Sequence, residues 1–256
     1  MKSRNHNIII LAAMPEEISS FIRHLYKIDT FHYGDLIIYT GKYNSNPKVK
    51  ITLAWSGWGK VSASRAVSRM IALASISEPV DLILFSGVAG GVDPDLSQWD
   101  LVISKEVLQH DMDARPLFKK FVIPSLNKDK LISNHALNNW AEKLFKEKKA
   151  LGELSEFGKI KNGLIATGDK FINDKNLLNE IKKDLDDLLA VEMEGAAVAQ
   201  VAEQEGLPWL ILRVISDAAD ESAKELFPEF IENYNKSSWI LIETVVSNLD
   251  SAPIFL

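Results

Sequence analysis

The sequence predicts an α/β fold, a mixed, mainly parallel sheet with helices on both faces. Three observations predict it. Short apolar runs alternate with amphipathic stretches along the chain. Several of those runs are continuous rather than alternating, as strands covered on both faces must be. No linker rich in Pro, Gly or Ser interrupts the 256 residues, so one domain over 1–256 is expected.

The elements follow in order. "NIIILAA" (7–13) reads as a buried strand, and "PEEISSFIRHLYK" (15–27) as a helix with Pro in its first turn. "DLIIYTGKY" and "VKITLAWSG" read as strands joined by the turn "NSNP". "GKVSASRAVSRMIALAS" (59–75) is a small-residue helix. "VDLILFSGVAGGV" (80–92) is a strand running into a glycine turn, and "WDLVISKEVLQHD" (99–111) is another strand. Residues 117–129 read as loop, 130–149 as an amphipathic helix, 159–172 as a strand entering a loop, and 175–186 as a helix. "LLAVEMEGAAVAQVAEQEG" (188–206) is a short strand and a helix that stops near Gly206. "PWLILRVISD" (208–217) is a buried strand, and the chain from Ala223 is mostly helix.

Composition narrows the function. Hydrophobic residues make up 46% and charged residues 25%, as in ordinary globular proteins. The net charge is −6 with no basic cluster, which argues against a nucleic-acid polymer as partner and leaves small nucleosides open. There is no cysteine, so disulfides, thiolate metal sites and cysteine nucleophiles are excluded. The opening apolar run, Ile8 to Met14, is too short for a membrane span and is closed by Pro15 and two acids. A cytoplasmic protein without a membrane partner is expected.

Ligands of such sheets sit at the carboxyl ends of the strands. "AAMPEE", "SGVAGG", "ATGDKF", "VEMEG" and "RVISDAAD" all fall there. Each has an ordinary reading. "GVAGGV" (87–92) lacks the dinucleotide spacing and a Walker lysine, so it is either a tight turn with positive φ or a close backbone approach to a ligand. Glu16, Glu17 and Glu194 could simply favour helix N-termini. Asp217 could cap or turn the chain. Arg213, within an apolar strand, needs an acidic partner, and Glu17 or Glu194 could supply it. Phe171 and Ile172 could be packing residues. His110, Asp111 and Asp113 resemble scattered metal ligands, but their spacing fits no standard site, and no metal is expected. Taken together the acids conflict with these readings. Three acids at separate strand ends with one buried Arg leave excess negative charge, which favours a site using carboxylates as acid, base and hydroxyl acceptor.

These same stretches, with "GLIATGDKFI" and "AVEMEGAAVAQV", resemble the ordered motifs of the 5′-methylthioadenosine/S-adenosylhomocysteine nucleosidases, members of the nucleoside phosphorylase superfamily. The resemblance spans about residues 7 to 220. It implies a three-layer α/β/α sandwich, a homodimer, no cofactor, and hydrolysis of the N-glycosidic bond to adenine and a thio-ribose. It implies that Glu17 activates water and that Asp217 serves adenine N7. Glu194 would accept ribose hydroxyls, with Met193 against the sugar. Phe171 and Ile172 would stack on and contact the purine, and Arg213 and Ser216 would support. Glu192 is either part of the binding set or structural.

The chemistry stands beside the resemblance. Cleaving C1′–N9 builds an oxocarbenium-like sugar and leaves charge on adenine. Protonation at N7 relieves it, so Asp217 needs a raised pKa or a proton gained in the complex. A base on the opposite face must activate water, as in inverting glycoside hydrolysis.

Two positions bear on phosphate. Where phosphorylase relatives carry an Arg before the glycines, this chain has Phe85. The position after Gly87, often Ser or Thr in the superfamily, is Val88. Both argue for water as nucleophile, since phosphate needs positive charge. Val88 also departs from the usual nucleosidase pattern on the water side. Related futalosine-type hydrolases, a phosphorylase, or a non-catalytic nucleoside-binding or storage protein are the alternatives. Residues 109–124 are where relatives vary, near the partner's pocket and the 5′ substituent.

Overall fold

The computed structural model describes residues 5–76, 78–220 and 223–253. The expected domain limits, 1 and 256, lie outside the described residues.

Among the described residues ten strands form one sheet: β1 (His6–Ala12), β2 (Leu25–Tyr33), β3 (Leu36–Tyr43), β4 (Asn46–Trp55), β5 (Leu82–Gly91), β6 (Leu101–Gln109), β7 (Leu131–Ile132), β8 (Ile160–Thr167), β9 (Leu188–Glu192) and β10 (Trp209–Asp217). The α-helices of the described residues are α1 (Lys60–Ala74), α2 (His135–Ala150), α3 (Lys175–Lys182), α4 (Gly195–Gln204) and α5 (Ala223–Val246). The sheet is mixed. Among the described residues five strand pairings are parallel and five antiparallel. The parallel run β4–β1–β5–β10 forms the centre. β5 also pairs with β9, and β10 with β6, so β5, β10, β6, β8 and β9 close into a ring.

Period-two geometry explains the continuous apolar strands. Along β1, Ile8, Ile10 and Ala12 join the core beneath α2 and α5, while Ile9 and Leu11 join the core beneath α1 and α4. β10 repeats this, with Leu210, Leu212 and Val214 on one face and Ile211 and Ile215 on the other. Two apolar cores therefore flank the sheet, which gives the three layers.

Three expectations are corrected. Residues 15–27 are not one helix. They form two 3-10 turns, Pro15–Glu17 and Ser19–His24, and then enter β2. Aromatic and β-branched residues from Leu25 onward, paired antiparallel with β3, override the helical pattern. The glycine run is not a turn: Gly87, Gly90 and Gly91 lie in β5, and none has positive φ. The helix expected from residue 130 begins at His135, because Leu131 and Ile132 pair with β6 and Asn134 caps the helix by accepting from Leu137 N–H. Gly206 does stop α4 as expected, at φ +67°.

Candidate active site

A cleft opens at the carboxyl ends of the central strands. Its wall includes Glu17, Val88, Phe171, Ile172, Glu192, Met193, Glu194, Ser216 and Asp217. Every residue to which the resemblance assigns a role is thus on the wall except Arg213, which lies behind it; Glu16, His110, Asp111 and Asp113 do not line the cleft.

Glu17 ends the first 3-10 turn and is 2% exposed. Its Oε2 accepts from Ala13 N–H and Met14 N–H, both at 2.8 Å, and Oε1 accepts from Val88 N–H at 2.9 Å. Burial pushes its carboxyl above the ordinary range, and Arg213 and these three N–H groups oppose that shift. Gly87 makes this packing fit. A Cβ there would collide with Glu17 Oε1 and stand 2.7 Å from Arg213 Nη1. The glycine serves close side-chain approach rather than an unusual φ.

The two acids of "VEMEG" divide their work. Glu192 accepts from Glu194 N–H (3.1 Å) and Gly195 N–H (2.7 Å), from the Thr167 hydroxyl, and from Arg213 Nη2 at 2.6 Å. It caps α4 and neutralises the arginine, so its acceptor sites are filled. Arg213 thus pairs most closely with Glu192, which was not one of the two partners expected, and lies at ion-pair distance, 4.0 Å, from Oε2 of the expected Glu194. The guanidinium also lies over the Phe85 ring, 3.9 Å from its centre. The Glu194 side chain turns away from the helix it precedes, and Oε1 accepts from Gly59 N–H at 2.7 Å. Its carboxyl is pushed up to about 8, chiefly by burial and then by the negative charge of Glu192.

Asp217 closes β10 and is 6% exposed. Oδ1 accepts from Ala219 N–H at 2.8 Å, a local turn bond, and Oδ2 accepts from the Ser216 hydroxyl at 2.6 Å. The turn reading and a site reading coexist, since the carboxyl also borders the cleft. Met193 and Phe171 are half-buried on the wall, and Ile172 is buried.

Sequence reasoning missed Trp58 and Phe227. Trp58 lies between β4 and α1 and is 53% exposed, and Phe227 is on α5. Both border the cleft. The Phe227 ring meets Trp58 edge-on at 6.4 Å and Phe171 at 6.0 Å. The signal was available for Trp58, because "WSGWGK" is another glycine-bearing strand end. Phe227 carried none, since it sits one turn inside a helix.

The site thus offers four buried carboxyl groups, Glu17, Glu192, Glu194 and Asp217, an apolar and aromatic wall, and one arginine withdrawn behind it. The chain matches the phosphorylase superfamily over residues 7–247. It is 31% identical to the 5′-methylthioadenosine/S-adenosylhomocysteine nucleosidase of Chromohalobacter salexigens, over 96% of this chain and 98% of that one. It is 32% identical to the aminodeoxyfutalosine nucleosidase of Helicobacter pylori, covering 94% and 98%. In fold it is similar to an S-adenosylhomocysteine nucleosidase from Streptococcus pyogenes solved with 5-methylthiotubericidin, with a TM-score of 0.85, 28% identity, and coverage of 97% and 99%. The chain belongs to the phosphorylase superfamily and, within it, to the 5′-methylthioadenosine/S-adenosylhomocysteine nucleosidase family.

Proposed function

We propose that this chain is a hydrolase of the N-glycosidic bond of 5′-methylthioadenosine and S-adenosylhomocysteine. One observation carries the reading: Glu17, Glu194 and Asp217, from three strand ends, border one cleft.

Asp217 is the acid for adenine N7. Protonation there turns the purine into a neutral leaving group. Ser216, donating to Oδ2, orients the carboxyl. Phe171 stacks on the base, and Ile172 contacts it through its backbone. Glu194 accepts ribose hydroxyls, an interaction that favours its ionised form as positive charge develops at C1′. Met193 packs against the sugar. Glu17 takes a proton from water, which attacks the face opposite the base. Its three backbone donors fix its orientation. Glu192 and Arg213 hold the frame rather than the substrate.

Water is the nucleophile in this reading. Among the described residues Arg213 is the buried guanidinium at the site; its Nη2 is engaged by Glu192 and its face lies on Phe85, and Val88 offers no hydroxyl to a phosphate oxygen. The protein acts as one domain over 1–256, in the cytoplasm, and as a homodimer. Val61 and Leu117, 81% and 85% exposed, leave apolar surface for a second copy. Among the described residues no helix is long and apolar enough to cross a membrane.

Asp217→Asn tests the acid. Adenine release from methylthioadenosine should fall by about 10²–10⁴-fold. A ribosyl substrate whose leaving group departs without protonation should lose less than about tenfold. Equal loss on both substrates would contradict the acid role.

A further inference from the structure

The side chain of Glu194 is held by Gly59 N–H, so the placement of Gly59 sets the placement of the carboxylate. Gly59 has φ +92° and lies between Trp58 on the cleft wall and Lys60 at the start of α1. What fixes this segment is a cycle of three residues from three strand ends. Lys60 N–H donates to Asp169 Oδ1 at 2.7 Å. Asp169 N–H donates to Asp111 Oδ2 at 3.0 Å. Lys60 Nζ donates to Asp111 Oδ1 at 2.6 Å and to Gln109 Oε1 at 3.2 Å. Asp111 therefore uses one oxygen for each of the other two members. The cycle ties the loop after β4, the end of β6 and the loop after β8.

None of the three side chains borders the cleft, yet each neighbours a wall. Lys60 follows Trp58 and Gly59, and Asp169 precedes Lys170, Phe171 and Ile172. The His110 ring packs on the backbone of Gly168, where a Cβ would collide with it, which seats the third loop. The fit at Gly59 is also close, since a Cβ there would stand 2.9 Å from Asp169 Oδ1.

We propose that Asp111 is a positioning residue for sugar recognition: by tying Lys60 to Asp169 it holds Gly59 N–H where it aims Glu194 at the ribose hydroxyls. This rests on the reading of Glu194 given above. The Lys60–Asp111 pair is partly exposed, with side chains 18% and 33% accessible, so it contributes little stability itself. Its effect lies in geometry, to which hydrogen-bonded recognition is sensitive.

The test uses two ligands that cannot be cleaved by protonation at position 7, 5′-methylthiotubercidin and its 2′,3′-dideoxy counterpart. Their dissociation constants are measured calorimetrically for wild type, Asp111→Asn, Lys60→Met and Glu194→Gln. An Asn at 111 keeps one acceptor oxygen and turns an N–H₂ toward a donor. Wild type should prefer the hydroxyl-bearing ligand by at least about tenfold, and Glu194→Gln should abolish that preference. Asp111→Asn and Lys60→Met should reduce it by about tenfold, shift dideoxy binding less than about twofold, and leave the unfolding midpoint nearly unchanged. If one variant fails to fold, the other carries the test. The proposal is overturned if both variants keep the preference, or if they weaken the two ligands equally. A preference that survives Glu194→Gln would overturn the ribose reading itself, and the proposal with it.

Discussion

Arg213 Nη2 lies 2.6 Å from Glu192 Oε2, and the two side chains are 1% and 3% exposed. Such a pair is expensive to bury and more expensive to break. It anchors the "VEMEG" stretch to β10, with Glu194 Oε2 further from the guanidinium at 4.0 Å.

Arg213→Met should therefore destabilise the protein by about 3–5 kcal/mol, because Glu192 would keep its charge without a counterion. Urea denaturation at neutral pH measures this. A loss under about 1 kcal/mol would mean that the backbone donors at Glu192 suffice alone.

In the proposed mechanism Glu17, as the base, sets the acid side of the pH profile. Burial raises its carboxyl above the ordinary 4.5, and a base acts only when ionised. The acid limb of kcat/KM should accordingly fall off at a pH above 4.5. Glu17→Gln should lower kcat by about 10²–10⁴-fold and remove that limb. A profile that keeps the limb in the variant would assign it to another group.

Glu194 links pH to stability. Its carboxyl rises from 4.5 to about 8 on folding. The folded chain thus binds this proton more tightly than the unfolded chain. The associated stability is full below about 4.5 and is lost as pH rises through about 8. Glu194→Gln has no proton to lose, so without ligand it should gain stability over wild type as pH rises across that window. Urea midpoints across the window check this, and parallel curves for the two proteins would contradict it.

Much of this was legible because strands leave a strong mark. Runs such as "NIIILAA" and "PWLILRVISD" are apolar at successive positions, and both became central strands. Their ends marked the cleft for the same reason. The segment 15–27 was not legible, since its helical pattern is overridden by pairing of β2 with β3, a tertiary contact. The partner of Arg213 was not legible either. Glu192 and Glu194 differ by two residues in sequence, and only the bend between β9 and α4 turns one toward the arginine and the other toward Gly59. Phe227 reaches the cleft from α5, ten residues after Asp217, through helix packing that no local pattern encodes.

The most direct measurement is the product set from methylthioadenosine in phosphate-free buffer, then with phosphate added. Adenine and free methylthioribose are expected in equal amounts, at a rate that phosphate does not change. Release that requires phosphate, with the sugar recovered as its 1-phosphate, would contradict hydrolysis and place an anion site where Phe85 and Val88 now stand.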